Sequence, residues 1–246
     1  MRKLENRIAI VTGASQGIGK AIAFAFGQQG AKVVVTARTT DAIEAVANQL
    51  REIGTEALAI TADLSAETDI RRIAEETTRR FGGDDILVNN AAIIHLRLDL
   101  VDFDTNLWRQ VIDVNLIAPA LLTKAVLPSM IKNRSGTILN ILSVGGRKGG
   151  KGRSAYRATK AGLINLTESI AAEVKAYGID VNCICPGGVD TEGFRQAFDS
   201  RGREQDPKLM CPEEIAKLAV FMASDESSAI TGAAVDAFGG TNPLFS

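Results

Sequence analysis

Short β-branched runs alternate with longer amphipathic stretches from one end of this chain to the other, and few folds accept that pattern. Strands separated by helix-length segments read as repeated βαβ units around a parallel sheet. The pattern places strands near 7–12, 32–37, 56–61, 86–89, 137–143, 180–185 and 233–236. Helices are expected over 17–29, 41–53, 66–81, 105–132, 155–176 and 212–223. Seven strands with helices on both faces make an α/β, doubly wound parallel sheet. Gly30, Gly54 and Gly178 follow three of the helices, where glycine accepts the left-handed turn that ends a helix. The 105–132 segment is long for one helix, and Pro119 is expected to kink or split it. No Pro/Ser-rich linker, charge block or repeat divides the 246 residues, so 1–246 reads as one domain.

Composition then removes several classes of function. With 46% apolar residues, 23% charged residues and a net charge of −1, nothing calls for nucleic acid or an anionic membrane as partner. The first residues lead straight into a strand and no 18-residue apolar run is apparent, so a cytoplasmic protein with no membrane partner is expected. Cys183, Cys185 and Cys211 form neither a C-x-x-C pair nor a disulfide framework, and Cys183 and Cys185 read as buried strand positions. A single histidine, His95, argues against Ser-His-Asp hydrolysis and His-rich zinc sites, so no metal site is expected. His95 itself reads as a surface or packed residue.

Thr12-Gly13-Ala14-Ser15-Gln16-Gly17-Ile18-Gly19 joins the first strand to the first helix. Exposed N–H groups and the helix dipole can there face a diphosphate, and glycine is needed where a side chain would block its approach. After the second strand, no acidic residue stands near Ala37 to meet ribose hydroxyls. Arg38 follows instead, with a guanidinium suited to a 2′-phosphate, and Thr39 and Thr40 add hydroxyls. Farther on, Tyr156 and Lys160 stand four residues apart, one turn of a helix, with Ser143 thirteen residues before Tyr156. A fixed cation beside a phenol favours its phenolate, which suits acid/base chemistry on a carbonyl or an alcohol.

Taken with Asn115 and Asn89-Asn90-Ala91-Ala92, these motifs in this order resemble the short-chain dehydrogenase/reductase family along essentially the whole chain. The resemblance implies a single Rossmann-type domain and an oxidoreductase moving a hydride between nicotinamide and a carbonyl or secondary alcohol. It implies Tyr156 as general acid/base, Ser143 orienting the substrate oxygen, Lys160 supporting the phenolate and the cofactor ribose, and Asn115 holding a water that links Lys160 to solvent. It further implies cofactor contacts at Gly13, Ser15, Gln16, Gly17, Ile18 and Gly19, at Arg38 and Thr39, at Asp63 and Leu64 for the adenine, and at Asn90, Ala91 and Ala92. Tyr156, Lys160, Pro186, Gly187, Val189 and Thr191 complete that set, the last two holding the carboxamide. NADP(H) is preferred on Arg38, with NAD(H) as the alternative, since Gln16 stands where many NADP-using members carry a basic residue. Ala92 departs from the family's usual glycine.

Substrate signals are thinner. The segment 144–154 carries four cations and five glycines and reads as a flexible basic loop that could draw a carboxylate or phosphate through Arg147 and Lys148. Residues 190–210 read as a mobile substrate loop with Phe194 and Phe198 as apolar contacts. In motifs the chain is most similar to 3-oxoacyl reductases, although Ala172 replaces the arginine that many of them use to dock acyl-carrier protein. A carbonyl reductase or alcohol dehydrogenase, homotetrameric by resemblance, is the reading. An NAD-dependent dehydrogenase of a sugar, polyol or hydroxy acid is the alternative, and a non-catalytic nucleotide-binding sensor or scaffold is the alternative of another class.

Overall fold

The computed structural model describes residues 2–198 and 209–239. Its centre is one parallel sheet of seven strands, β1 (Ile8–Thr12), β2 (Lys32–Ala37), β3 (Ala57–Thr61), β4 (Ile86–Asn89), β5 (Gly136–Ile141), β6 (Ile179–Pro186) and β7 (Ala234–Ala237). The strands lie in the order β3-β2-β1-β4-β5-β6-β7. Every residue of β1, β4 and β5 is buried, as a sheet covered on both faces requires. Successive side chains alternate between two cores. Ala9, Val11, Val33, Val35, Ile86 and Val88 pack into one with α1 (Gly17–Gln28), α2 (Thr40–Glu52) and α8 (Pro212–Ala223). Ile10, Val34 and Leu87 enter the other, against α3 (Glu67–Phe81), α5 (Ala118–Asn133) and α6 (Ser154–Val174). Fully buried anchors such as Phe26, Leu50 and Leu122 each stabilise the fold by about 1.5–3 kcal/mol relative to exposure.

A polar chain crosses the second interface. Asn89 Nδ2 donates to Asn140 Oδ1 at 2.9 Å, and Asn140 Nδ2 donates to Thr167 Oγ1 at 2.9 Å, tying β4 and β5 to α6. The order of strands reverses direction between β1 and β4, where a crevice opens at their carboxyl ends, the usual ligand position in open α/β sheets.

Several expected boundaries move. The 105–132 segment is not split at Pro119. It runs on as α4 (Thr105–Ile112), a π-helical turn Asp113–Ile117 and α5. Pro119 sits in the first turn of α5, and the ladder it interrupts is absorbed by the wider π turn just before it. The expectation of no long apolar run is also corrected. Thr105–Asn133 is long and apolar enough to cross a membrane by length and composition, with a mean hydropathy of 1.5 over its most apolar 18 residues, because Lys124 and the polar residues around it interrupt the run without lowering its average much. Gly30, Gly54 and Gly178 take φ values of +90°, +84° and +71° as expected after their helices, and Gly82, at +94°, ends α3 in the same way. Within 190–210, where a loop was expected, a short helix α7 (Glu192–Ala197) forms, capped by Thr191, whose Oγ1 accepts from Phe194 N at 3.1 Å. The rest of that segment, 199–208, lies outside the described residues.

Candidate active site

The turn after β1 packs too closely for side chains. A Cβ on Gly13, whose φ is +63°, would stand 2.8 Å from the Ala91 backbone, and one on Gly19 would collide with Gly13 O and Asn90 Nδ2. Asn90 explains the tightness, since its Nδ2 donates to Thr12 O at 2.9 Å and Gly13 O at 3.1 Å. The N–H groups of Asn90 and Ala91 both donate to Thr12 Oγ1. The start of α1 is left bare, because Gln16 gives no side-chain cap and no acidic residue occupies the first turn. Unmet helix N–H groups beside a backbone-only cradle fit the diphosphate of a dinucleotide.

From this turn a groove of about 400 Å³ runs along the carboxyl ends of the strands. Of the expected residues, Gly13, Ser15, Gln16, Gly17, Ile18, Arg38, Thr39, Asp63, Leu64, Asn90, Ala91, Ala92, Tyr156, Lys160 and Thr191 line it. At one end Arg38 is exposed and makes no hydrogen bond or ion pair among the described residues. The Asp63 carboxylate accepts from Ser65 N and Oγ at 2.9 and 2.8 Å, and these bonds hold it below the usual carboxylate range, with Arg38 adding to the effect. Ala92 does not take positive φ, so the glycine usual at this position is not required by the backbone here.

At the other end, α6 presents Tyr156 and Lys160 one turn apart. Lys160 is 2% exposed, its Nζ donates to Ile141 O at 2.9 Å, and it lies 5.7 Å from the Tyr156 ring centre. Burial pushes its ammonium down to about 8. The Tyr156 phenol is pushed up by burial, opposed by its hydrogen bond with Ser143 and by the charges of Arg153 and Arg157. The expected lowering by Lys160 does not arise in the chain alone: the cations that act on the phenol are Arg153 and Arg157, and burial works against the charge of both Tyr156 and Lys160. Ser143 lies past the end of β5. Its Oγ accepts from Gly145 N at 3.0 Å, which leaves its own proton free for the Tyr156 oxygen.

Asn115 is fully buried in the π turn, and its amide is already engaged. Oδ1 accepts from Ile93 N at 2.7 Å and Nδ2 donates to Ile93 O at 3.0 Å. Asn115 stands in the π turn four residues before Pro119, so the widened turn and the missing proline N–H fall together at this point of the helix. The side chain thus fixes the groove wall at Ile93.

Other expected residues stand away from the groove lining. Gly19 faces Asn90, Gly187 N donates to Ala237 O at 2.8 Å, and Val189 is buried in a bridge to Met210. Pro186 closes β6. The basic loop is less free than its composition suggested. Arg147 binds Asp236 Oδ1 and Ala234 O at 2.9 and 2.7 Å, and Arg157 Nη1 donates to the carbonyls of Lys148 and Gly149. Groove residues not expected from the sequence are Thr36, Ala37, Ala62, Ile93, Ile94, Val114, Ile141, Leu142 and Gly193. Ala37, Ala62, Ile141 and Leu142 are apolar positions at or just past strand ends, a signal the strand pattern carries but does not single out.

The same architecture recurs in known proteins of similar sequence. A sequence model of the short chain dehydrogenase family matches residues 7–202. The chain is 40% identical to the 3-oxoacyl-[acyl-carrier-protein] reductase FabG of Vibrio cholerae, over 96% of this chain and 98% of the relative. It is 37% identical to an uncharacterized oxidoreductase, YxjF, of Bacillus subtilis, with the same coverage. Among solved structures, a putative NAD(P) dependent gluconate 5-dehydrogenase from Beutenbergia cavernae, with bound NADP, superposes with a TM-score of 0.88 at 36% identity over 97% of each chain. A short-chain type dehydrogenase/reductase from Mycobacterium marinum superposes at 0.89 with 31% identity, over 97% of this chain and 96% of that one.

Proposed function

Because the chain belongs to the short-chain dehydrogenase family of NAD(P)-dependent oxidoreductases, we propose that it is an NADP(H)-preferring member interconverting a carbonyl and a secondary alcohol on a small molecule. The observation that carries this reading is the opening of Tyr156 and Lys160 onto the same groove as the bare start of α1 and Arg38. Gly13, Ser15, Gly17 and Ile18 would hold the diphosphate, Arg38 and Thr39 the 2′-phosphate end, and Thr191 the nicotinamide end. Bound there, the nicotinamide supplies or accepts the hydride.

The chain's own residues handle the proton. Tyr156, neutral at physiological pH because burial raises it, donates its proton to the oxygen of the carbonyl undergoing reduction. Ser143 orients that oxygen through the hydroxyl proton that Gly145 leaves free. Lys160 supplies the charge that meets the phenolate once the proton has gone. By the family resemblance, Asn115 would hold the water from which that proton is restored. In the oxidative direction each transfer reverses.

The test is fluorescence titration with NADPH and NADH, on the wild type, Arg38→Ala and Tyr156→Phe. NADPH should bind more tightly to the wild type, and Arg38→Ala should remove about tenfold or more of that preference, ~1.4 kcal/mol. Tyr156→Phe should keep cofactor affinity while turnover falls about 10²–10⁴-fold. Equal binding of NADH would return the reading to an NAD-dependent sugar, polyol or hydroxy-acid dehydrogenase. Full turnover by Tyr156→Phe would remove that residue from the mechanism.

A further inference from the structure

Arg153, the N-cap residue of α6, is 5% exposed. Its Nη2 donates to Ala197 O at 2.7 Å and its guanidinium stacks 4.6 Å from the Phe198 ring centre, under α7. Its Nε and Nη1 have no acceptor, and no carboxylate pairs with it among the described residues. The charges nearest it are alike, from Arg97 and Arg157. A guanidinium stays protonated in a protein, so a buried one without an anion is an unbalanced charge that the fold has to carry. Beside it, Ser154 Oγ is also buried without a partner, and no side chain caps the start of α6.

His95 adds an unmet group of the other kind. It is 5% exposed and packs edge-on against Phe103 at 4.7 Å. Its Nδ1 contacts Leu96 O at 2.5 Å, while Nε2 has no partner. Burial and the charge of Arg153 push the imidazole down, and since a carbonyl can only accept, the Nδ1 contact with Leu96 O places a ring proton on Nδ1, which in the neutral ring leaves a lone pair on Nε2. It thus presents an acceptor near a guanidinium that presents donors.

We propose that Arg153 and His95 form a substrate seat for a hydroxylated carboxylic acid, Arg153 taking the carboxylate and His95 Nε2 accepting a hydroxyl. The assignment rests on the hydride-transfer reading above and names its substrate class. The seat adjoins that site, since Arg153 caps the helix whose first turn carries Tyr156, three residues on. A carbonyl carbon a short way along such an acid gains the hydride and its oxygen gains the phenol proton, while the carboxylate is unchanged. Acid selectivity therefore resides at Arg153 and not at the outer loop, where Arg147 is committed to Asp236 and Lys151 lies 3.6 Å from Asp99.

Two measurements test the seat. The first compares kcat/KM for C4 to C6 hydroxy-oxo acids, their methyl esters and their deoxy analogues, with NADPH. The wild type should prefer acid over ester by about tenfold or more. Arg153→Gln should abolish that preference through KM, Arg153→Lys should keep part of it, and His95→Phe should erase discrimination between hydroxylated and deoxy acids. The second is calorimetric titration of butyrate and butyramide into the NADPH-loaded protein, which needs no turnover. Butyrate should bind to the wild type and lose affinity in Arg153→Gln, and butyramide should bind to neither. Equal rates on acid and ester in the wild type would overturn the seat, as would butyrate binding that ignores Arg153. Butyrate binding that depends on Arg153 without any turnover would instead overturn the hydride-transfer reading and leave the seat standing. Should Arg153→Gln fail to fold, the wild-type ratio and Arg153→Lys decide the matter.

Discussion

A buried lysine has opposite consequences for stability and for chemistry. Lys160 holds about 8 in the fold against an ordinary 10.5, so between those values the unfolded chain binds more protons than the folded one. Stability therefore rises with pH through that window, and below about 8 the fold carries the full cost of a buried ammonium. Lys160→Met removes the cost and the charge together. Its stability advantage over the wild type should be largest at pH 7 and shrink as pH rises toward 10, by up to roughly 3 kcal/mol. Urea unfolding of both proteins at a series of pH values checks this, and a difference independent of pH would show that Lys160 is not buried as a cation. Turnover should be lost in the same variant at every pH.

Among the elements, those that repeat were the legible ones. The strands announced themselves because Ile, Val and Ala alternate between two cores, and the glycine turn because Gly13 and Gly19 have no room for a Cβ. α7 escaped notice since Glu192–Ala197 is too short for a helical period and depends on the Thr191 cap. Asn115 was marked by resemblance alone, and that its amide is taken up by Ile93 at the groove wall could not be read from the sequence, because the two lie 22 residues apart. Arg153 could not be told from Arg147 by sequence. Only packing under Phe198, and the lack of an ion pair among the described residues, separate them. The Asn89–Asn140–Thr167 chain was equally invisible, because polar strand residues look like edge positions until the sheet order places them at its centre. Asn140→Ala should cost about 2–4 kcal/mol, since it strands buried groups on both β4 and α6. The double variant Asn89→Ala/Asn140→Ala should cost less than the two single changes added together, and strict additivity in denaturant unfolding would sink the network.

At the level of the whole molecule, the sheet accounts for one side of the α4–α5 helix and leaves the other uncovered. Leu122, Val126 and Met130 face the core, yet only 39% of the helix's most apolar window is buried. Ile117 is 43% exposed, and just before α4, Leu100 and Val101 are 66% and 89% exposed. Apolar surface gathered in this way is seldom left to water. The occupant we propose is another copy of the chain, in a homotetramer. Closed assemblies of identical subunits bury self-complementary patches, and one helix face presented twice across a two-fold axis is such a patch, joining the four copies in pairs, with a second interface between the pairs. Sedimentation equilibrium should then give four times the 26.1 kDa of the chain. Ile117→Glu should shift the distribution toward smaller species, because a carboxylate in the middle of the patch cannot be desolvated without a partner. The variant's core is untouched, so its far-UV spectrum should stay that of the wild type while its mass falls. A wild-type mass of 26.1 kDa would leave the helix face bare and the tetramer without support, and an unchanged mass for Ile117→Glu would move the interface elsewhere on the surface.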